Sequence, residues 1–129
     1  MTELVLASGS AIRAQLLTNA GVAFRVRTAP VDEETIKASL LAEDTPPREI
    51  ADALAEAKAR RVGMKEPAAF TLGCDQVLDL DGTLLCKAET REQAAEHLRR
   101  LSGQTHKLFA AAVIFHEAHP IWRFIGEAR

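Results

Sequence analysis

The sequence predicts an α/β fold, and three observations carry that prediction. Short apolar or alternating runs at Leu4–Ala7, Phe24–Thr28 and Phe70–Gly73 read as strands, and the segments between them set apolar residues at helical spacing. The composition, 47% hydrophobic and 26% charged, is that of a globular chain and excludes a disordered or fibrous one. At 129 residues there is room for one domain with a real core and not for two, and no repeat, low-complexity tract or linker divides the chain.

The elements follow in order. Leu4–Ala7 is a short buried strand, broken by Ser8-Gly9-Ser10. Ser10 is a good N-cap for a helix from Ala11 to Asn19, which Gly21 stops. Phe24–Thr28 alternates apolar residues with arginine, as a half-exposed strand does, and Pro30 ends it before the acidic run Asp32-Glu33-Glu34. Ile36, Leu40 and Leu41 give a second helix over Glu33–Ala42. Pro47 suits the first turn of a long helix through Val62, with Ile50, Leu54, Ala57 and Arg61 at helical spacing and a basic far end at Lys58, Arg60 and Arg61.

Phe70–Gly73 is the next strand, interrupted by Cys74-Asp75-Gln76 and resumed at Val77–Leu80. Asp81-Gly82 is a hairpin signal that returns the chain along Thr83–Cys86 to Lys87. Thr90 and Gln93 form a capping box for a helix to Leu101, closed by Gly103. Lys107–Phe115 and Pro120–Gly126 make a final hairpin, and the chain stops just as that last strand gets going, which suits a terminal strand and a fragment equally.

The totals exclude several function classes. A formal charge of −2 leaves no basic field for nucleic acid or an anionic membrane, so any phosphate must be recognised by a few placed groups. Cys74 and Cys86 are not in a CxxC arrangement and read as buried reduced thiols; His97, His106, His116 and His119 are too scattered for a metal cluster. The run Leu108–Phe115 is too short to span a bilayer and the first three residues lack a basic signal start, so a cytoplasmic protein is expected.

A few residues are placed for chemistry. A strand that ends in Ser8-Gly9-Ser10 and feeds a helix offers backbone N–H groups and two hydroxyls to an anion, with Arg13 one turn in; the same segment also suits an ordinary strand-to-helix turn. It is not a Walker loop, because GxxxxGK[ST] is absent. Asp75, set between apolar strand pieces, reads as a metal ligand or general base, or as a turn-capping aspartate. Glu33 is a weaker candidate. Lys58 and Lys87 are each more often solvent-facing, yet with Arg13 and the carboxylates they supply what phosphoanhydride hydrolysis requires.

Six motifs in order, LASGSxxR at Leu6–Arg13, VDE at Val31–Glu33, LAxxKA at Leu54–Ala59, GCDQV at Gly73–Val77, Lys87 after the hairpin and LSGxTH at Leu101–His106, resemble the Maf family of nucleoside triphosphate pyrophosphatases. The resemblance covers essentially the whole chain. It implies an elongated mixed sheet flanked by helices around a central cleft, an inosine triphosphatase-like fold. It also implies hydrolysis of the α–β phosphoanhydride to a monophosphate and pyrophosphate with a divalent cation, Mg or Mn. By position, Asp75 matches the proton acceptor and, with Glu33, the metal site. Ser8, Ser10 and Arg13 match the phosphate grip, and Lys58 and Lys87 the triphosphate-facing lysines. A homodimer and an association with septum formation are further implications, and they make a nucleotide-binding regulator without turnover the alternative.

Ala11 and Ile12 replace a proline and an arginine of the branch directed at dTTP and UTP, and Gln76 replaces its threonine; Ile12 and Gln76 look more like the 7-methyl-GTP branch. Ala88 stands where proline is usual after Lys87. Family chains continue well beyond the last hairpin, so a missing carboxyl-terminal part is the expectation.

Overall fold

The computed structural model describes residues 3–129. Its strands are β1 (Leu4–Leu6), β2 (Arg25–Val26), β3 (Phe70–Leu80), β4 (Thr83–Leu85), β5 (Lys107–His116) and β6 (His119–Ala128). Its helices are α1 (Ala11–Asn19), α2 (Glu33–Ala42), α3 (Pro47–Gly63) and α4 (Arg91–Leu101).

The six strands form one mixed sheet in the order β2-β1-β3-β5-β6, with β4 also on β3. β1 runs parallel to β2 and β3, whereas β3 pairs antiparallel with β5 and β5 with β6. The parallel pairs are joined through helices, α1 between β1 and β2 and α2 and α3 on the way to β3; β3–β4 and β5–β6 are tight hairpins, and β4 and α4 intervene between β3 and β5. In the last hairpin Glu117 and Ala118 both take positive φ, 49° and 66°, the backbone of a two-residue turn that follows strand twist.

β3 is the spine, and it corrects the sequence reading: Cys74-Asp75-Gln76 does not interrupt the strand. β5 pairs with it without a break from Thr71 to Asp79, so an aspartate of low strand propensity is carried by its ladder. The other edge of β3 is shared. β1 pairs with Phe70–Leu72 and β4 with Leu78–Leu80, leaving the edge from Gly73 to Val77 open between them. At the other end of the sheet β2 is shorter than expected, two residues only.

α3 covers one face of this sheet. Its buried stripe is Ile50, Ala51, Leu54, Ala55, Ala59 and Val62; of the repeat read in the sequence Ile50 and Leu54 lie on it, whereas Ala57 is half-buried and Arg61 exposed. Most of the stripe packs with Val77, Phe109, Ala111, Val113 and Phe115. Val62 joins Val5, Ala7 and Ala69 in a smaller cluster under β1. Arg123 of β6 is pinned to the same helix by Asp52 and Glu56, each at 2.6 Å.

The closest approach of helix to sheet is at Gly73. A Cβ there would meet the Ala55 carbonyl oxygen at 2.3 Å, the Ala59 nitrogen at 2.5 Å and the Ala59 Cβ at 2.8 Å, all on backbone or its first carbon. None of these can swing away, so α3 would have to lift off the strand. Gly73→Ala is therefore expected to cost about 3 kcal/mol in urea unfolding; a loss below about 1 kcal/mol would show that the helix has slack at this point.

Candidate active site

The open edge of β3 and Arg13 of α1 border one cleft of about 1080 Å³, and Ser8 and Gly9 line a smaller cavity of about 210 Å³ that shares Glu33 and Lys58 with it. Side chains on β3 alternate faces, so Asp75 shares the helix-facing side with Gly73. On α3, Lys58 follows Leu54 by one turn and both line the cleft. The tight contact at Gly73 thus brings Lys58 and Asp75 together across the helix–strand interface.

Lys58 is the hub. Its Nζ donates to Glu33 Oε1 at 2.7 Å and to Asp75 Oδ1 at 2.9 Å, and lies 3.4 Å from the Cys74 carbonyl oxygen. Glu33 comes from the first turn of α2, whose N-cap Asp32 accepts from the Thr35 N–H. Three elements therefore meet at one ammonium, and all three of its donors have acceptors. Burial alone lowers the Lys58 pKa, but Glu33 and Asp75 outweigh it and the net direction is upward.

Asp75 is only 9% exposed. Burial raises its carboxyl pKa, and the opposing pull of Lys58 does not cancel the rise. The geometry accounts for that direction, because Oδ1 alone has a partner while Oδ2 is buried and accepts nothing from the described residues. The result is a carboxylate more basic than an ordinary aspartate, facing a cleft. Cys74 on the opposite face of β3 has its thiol pushed up by burial, while Cys86 is exposed, not buried as its sequence context suggested.

The Ser8 loop is built around its hydroxyls. Ser8 Oγ accepts from the Ser10 N–H and from Arg13 Nη1, both at 3.2 Å, and Ser10 Oγ caps α1 by accepting from the Arg13 N–H at 3.3 Å. Both lone pairs of Ser8 Oγ are engaged, so it has only its O–H left to offer, a donor, which is the polarity an anion needs; Ser10 keeps its O–H as well. The same bond holds the Arg13 guanidinium against the loop, where it lines the cleft beside Lys58 and Asp75.

Lys87 and Gln76 also line the cleft, both exposed. Ile12 lies next to Arg13 on α1, 75% exposed and outside the cleft lining. The sequence reading missed Lys37, one turn beyond Glu33 on α2. Its side chain is only 17% exposed, and its Nζ stands 4.0 Å from Cys86 Sγ and 3.5 Å from the well-exposed Glu34. The i, i+4 spacing from Glu33 was the available signal. His97 and Leu101 of α4 enter the wall from far along the sequence.

Among the described residues no group of three or more His, Cys, Asp and Glu side chains gathers to hold a metal. Two carboxylates do converge, Glu33 and Asp75, and one buried oxygen of Asp75 is unpartnered. That donor set fits a hard cation such as Mg²⁺, which takes one or two protein carboxylates and completes its shell with phosphate oxygens and water.

The family model described as "Maf-like protein" matches residues 3–129. The chain is 57% identical to a nucleoside triphosphate pyrophosphatase of Ruegeria pomeroyi, over 98% of this chain and 63% of the relative. It is 40% identical to a 7-methyl-GTP pyrophosphatase of Brucella abortus, again over 98% of this chain and 63% of the relative. The chain thus spans less than two thirds of the length of these relatives. A solved nucleoside-triphosphatase (dITP/XTP pyrophosphatase) from Mycobacterium abscessus matches with a TM-score of 0.50 and 15% identity, covering 98% of this chain and 71% of that one, a likeness of fold.

The raised Asp75 pKa has a consequence for stability. The stabilisation linked to its proton is complete below the unfolded carboxylate range and is lost as pH rises through the higher folded value. Ionised Asp75 is thus a burden on the fold at neutral pH. Asp75→Asn is expected to melt no lower than the parent at pH 7.5, with the difference shrinking as pH falls through the carboxylate range; a clear drop in melting temperature at pH 7.5 would contradict the burial argument.

Proposed function

The chain belongs to the Maf family, and on that premise we propose that it hydrolyses the α–β phosphoanhydride of a nucleoside triphosphate, yielding a monophosphate and pyrophosphate. The observation that carries this reading is Asp75, a buried carboxylate with one unpartnered oxygen at the edge of a cleft that also holds Arg13, Lys37, Lys58 and Lys87. A carboxylate with a free oxygen beside a cationic cleft suits deprotonation of an attacking water. The cations and the hydroxyls of Ser8 and Ser10 suit a polyphosphate chain and the charge that spreads over it in the transition state.

The roles divide by position. Ser8, Ser10 and Arg13 grip the phosphates at the end of β1, where an open α/β sheet presents loop and helix N–H groups. Asp75 accepts the water proton. Glu33 and Asp75 would hold a divalent cation, Mg²⁺ or Mn²⁺, which supplies charge neutralisation on the phosphate oxygens when bound. Lys87 and Lys37 extend the cationic wall away from Asp75. Gln76, adjacent to the base and exposed in the cleft, has both a donor and an acceptor to offer a nucleobase edge, and Ile12 leaves Arg13 as the one guanidinium of its loop. That pairing favours a modified purine such as 7-methyl-GTP as substrate, in keeping with clearance of noncanonical nucleotides.

The experiment is pyrophosphate release from a panel of UTP, dTTP, GTP and 7-methyl-GTP with Mg²⁺ or Mn²⁺. Turnover with Asp75→Asn reduced by about 10²- to 10⁴-fold is the expected result. Gln76→Ala is expected to change the ratio of kcat/KM between 7-methyl-GTP and UTP by about tenfold. No turnover on any member of the panel, or an Asp75→Asn rate equal to the parent, would reject the reading, and a preference for UTP and dTTP would reject the role given to Gln76.

A further inference from the structure

We infer that Lys58 is an exchangeable counterion: it keeps Glu33 and Asp75 paired while the cleft is empty and passes to the substrate's phosphates when a divalent cation takes over the two carboxylates. The inference rests on the pyrophosphatase reading and deepens it. It arises from an apparent conflict of roles, since the lysine expected to face the triphosphate has its charge committed to two carboxylates at 2.7 and 2.9 Å.

Charge counting shows why the commitment must be temporary. Glu33, Asp75 and Lys58 together carry one net negative charge, which opposes a polyphosphate entering beside Arg13. A divalent cation added to the carboxylates reverses that sign and leaves the ammonium with redundant partners. Lysine suits the exchange as a compact charge on a flexible four-carbon stem, whereas a guanidinium fork is held by its geometry. The position suits it too: Lys58 lines the main cleft and also a smaller adjoining cavity of about 210 Å³ whose lining includes Ser8, Gly9 and Thr28, so its head has the phosphate-gripping loop within the same space. Arg13 is bonded to Ser8 Oγ on the loop itself, whereas Lys58 is bonded to the two carboxylates that a cation would take over.

The test measures cation affinity, not turnover. Mn²⁺ binding to the full 129-residue chain is followed by calorimetry, with and without inorganic pyrophosphate, for the parent and Lys58→Met. Without pyrophosphate, Lys58→Met is expected to bind Mn²⁺ about tenfold more tightly or better, because a competing positive charge has gone. With pyrophosphate the order is expected to reverse, the variant having lost a phosphate donor. Lys58→Gln, which keeps a polar head without charge, repeats the comparison if Lys58→Met does not fold. Equal affinities without pyrophosphate, or weaker Mn²⁺ binding by the variant in both conditions, would overturn the exchange and leave Lys58 a fixed structural pair. Triphosphate hydrolysis by the parent is scored separately: an inactive parent that still shows the crossed pattern would reject the pyrophosphatase reading alone, and an active parent without the crossing would reject the exchange alone.

Discussion

The cleft depends on how closely α3 lies on β3, and that separation is set by the absence of a side chain at Gly73. With the Ala55 carbonyl oxygen and the Ala59 nitrogen where a Cβ would stand, helix and strand are in backbone contact. The small residues on the helix side, Ala55 and Ala59, belong to the same requirement. Two residues along the strand is Asp75, and one residue before Ala59 is Lys58. The contact therefore serves packing and chemistry together, since the approach that buries Ala55 and Ala59 also delivers an ammonium to a carboxylate that burial would otherwise leave alone.

From that junction the electrostatics of the site follow. A chain with a net charge of −2 has no general attraction for polyanions, so its affinity for phosphate has to be assembled locally. The assembly uses two kinds of cation. Arg13 is held by the Ser8 hydroxyl and is oriented before any ligand arrives; Lys58 is held by carboxylates that themselves have another use. The gap in the sheet between β1 and β4 is what lets both reach the same space. A continuous partner strand on that edge of β3 would have closed the cleft between Arg13 and Lys87.

Much of this was legible in the sequence where the signal is local. The bounds of α1 and α2, the Ser10 and Thr90 caps and the Asp81-Gly82 turn all rest on residues within one or two turns of each other, and each was readable from those residues. The strand through Asp75 was not, because its support comes from β5 more than thirty positions later, and a local reading sees only a charged residue between apolar ones. Of the repeat read along α3, Ile50 and Leu54 are buried while Ala57 is half-buried and Arg61 exposed; Ala59, alike as a residue to Ala57, is covered where the helix meets Gly73 of the facing strand. Arg13, Glu33, Lys58, Asp75, Gln76 and Lys87 were named from the sequence and line the cleft, with Ser8 on the adjoining cavity, but their convergence and the entry of His97 depend on contacts that no spacing encodes, whereas Lys37 was signalled by its i, i+4 spacing from Glu33. Ile12, singled out beside Arg13, stands outside the cleft lining.

The central claim is that Lys58 and Asp75 are energetically coupled through the close contact of α3 with β3. A double-mutant cycle in urea unfolding at neutral pH measures this directly, with Lys58→Met placed in the parent and in the Asp75→Asn background. Loss of the ammonium strands a buried carboxylate in the parent but not in the variant background, so the cost of Lys58→Met should be larger in the parent by at least about 1 kcal/mol. Additivity within about 0.5 kcal/mol would show that the two groups act independently, and the account of the cleft would fail with it.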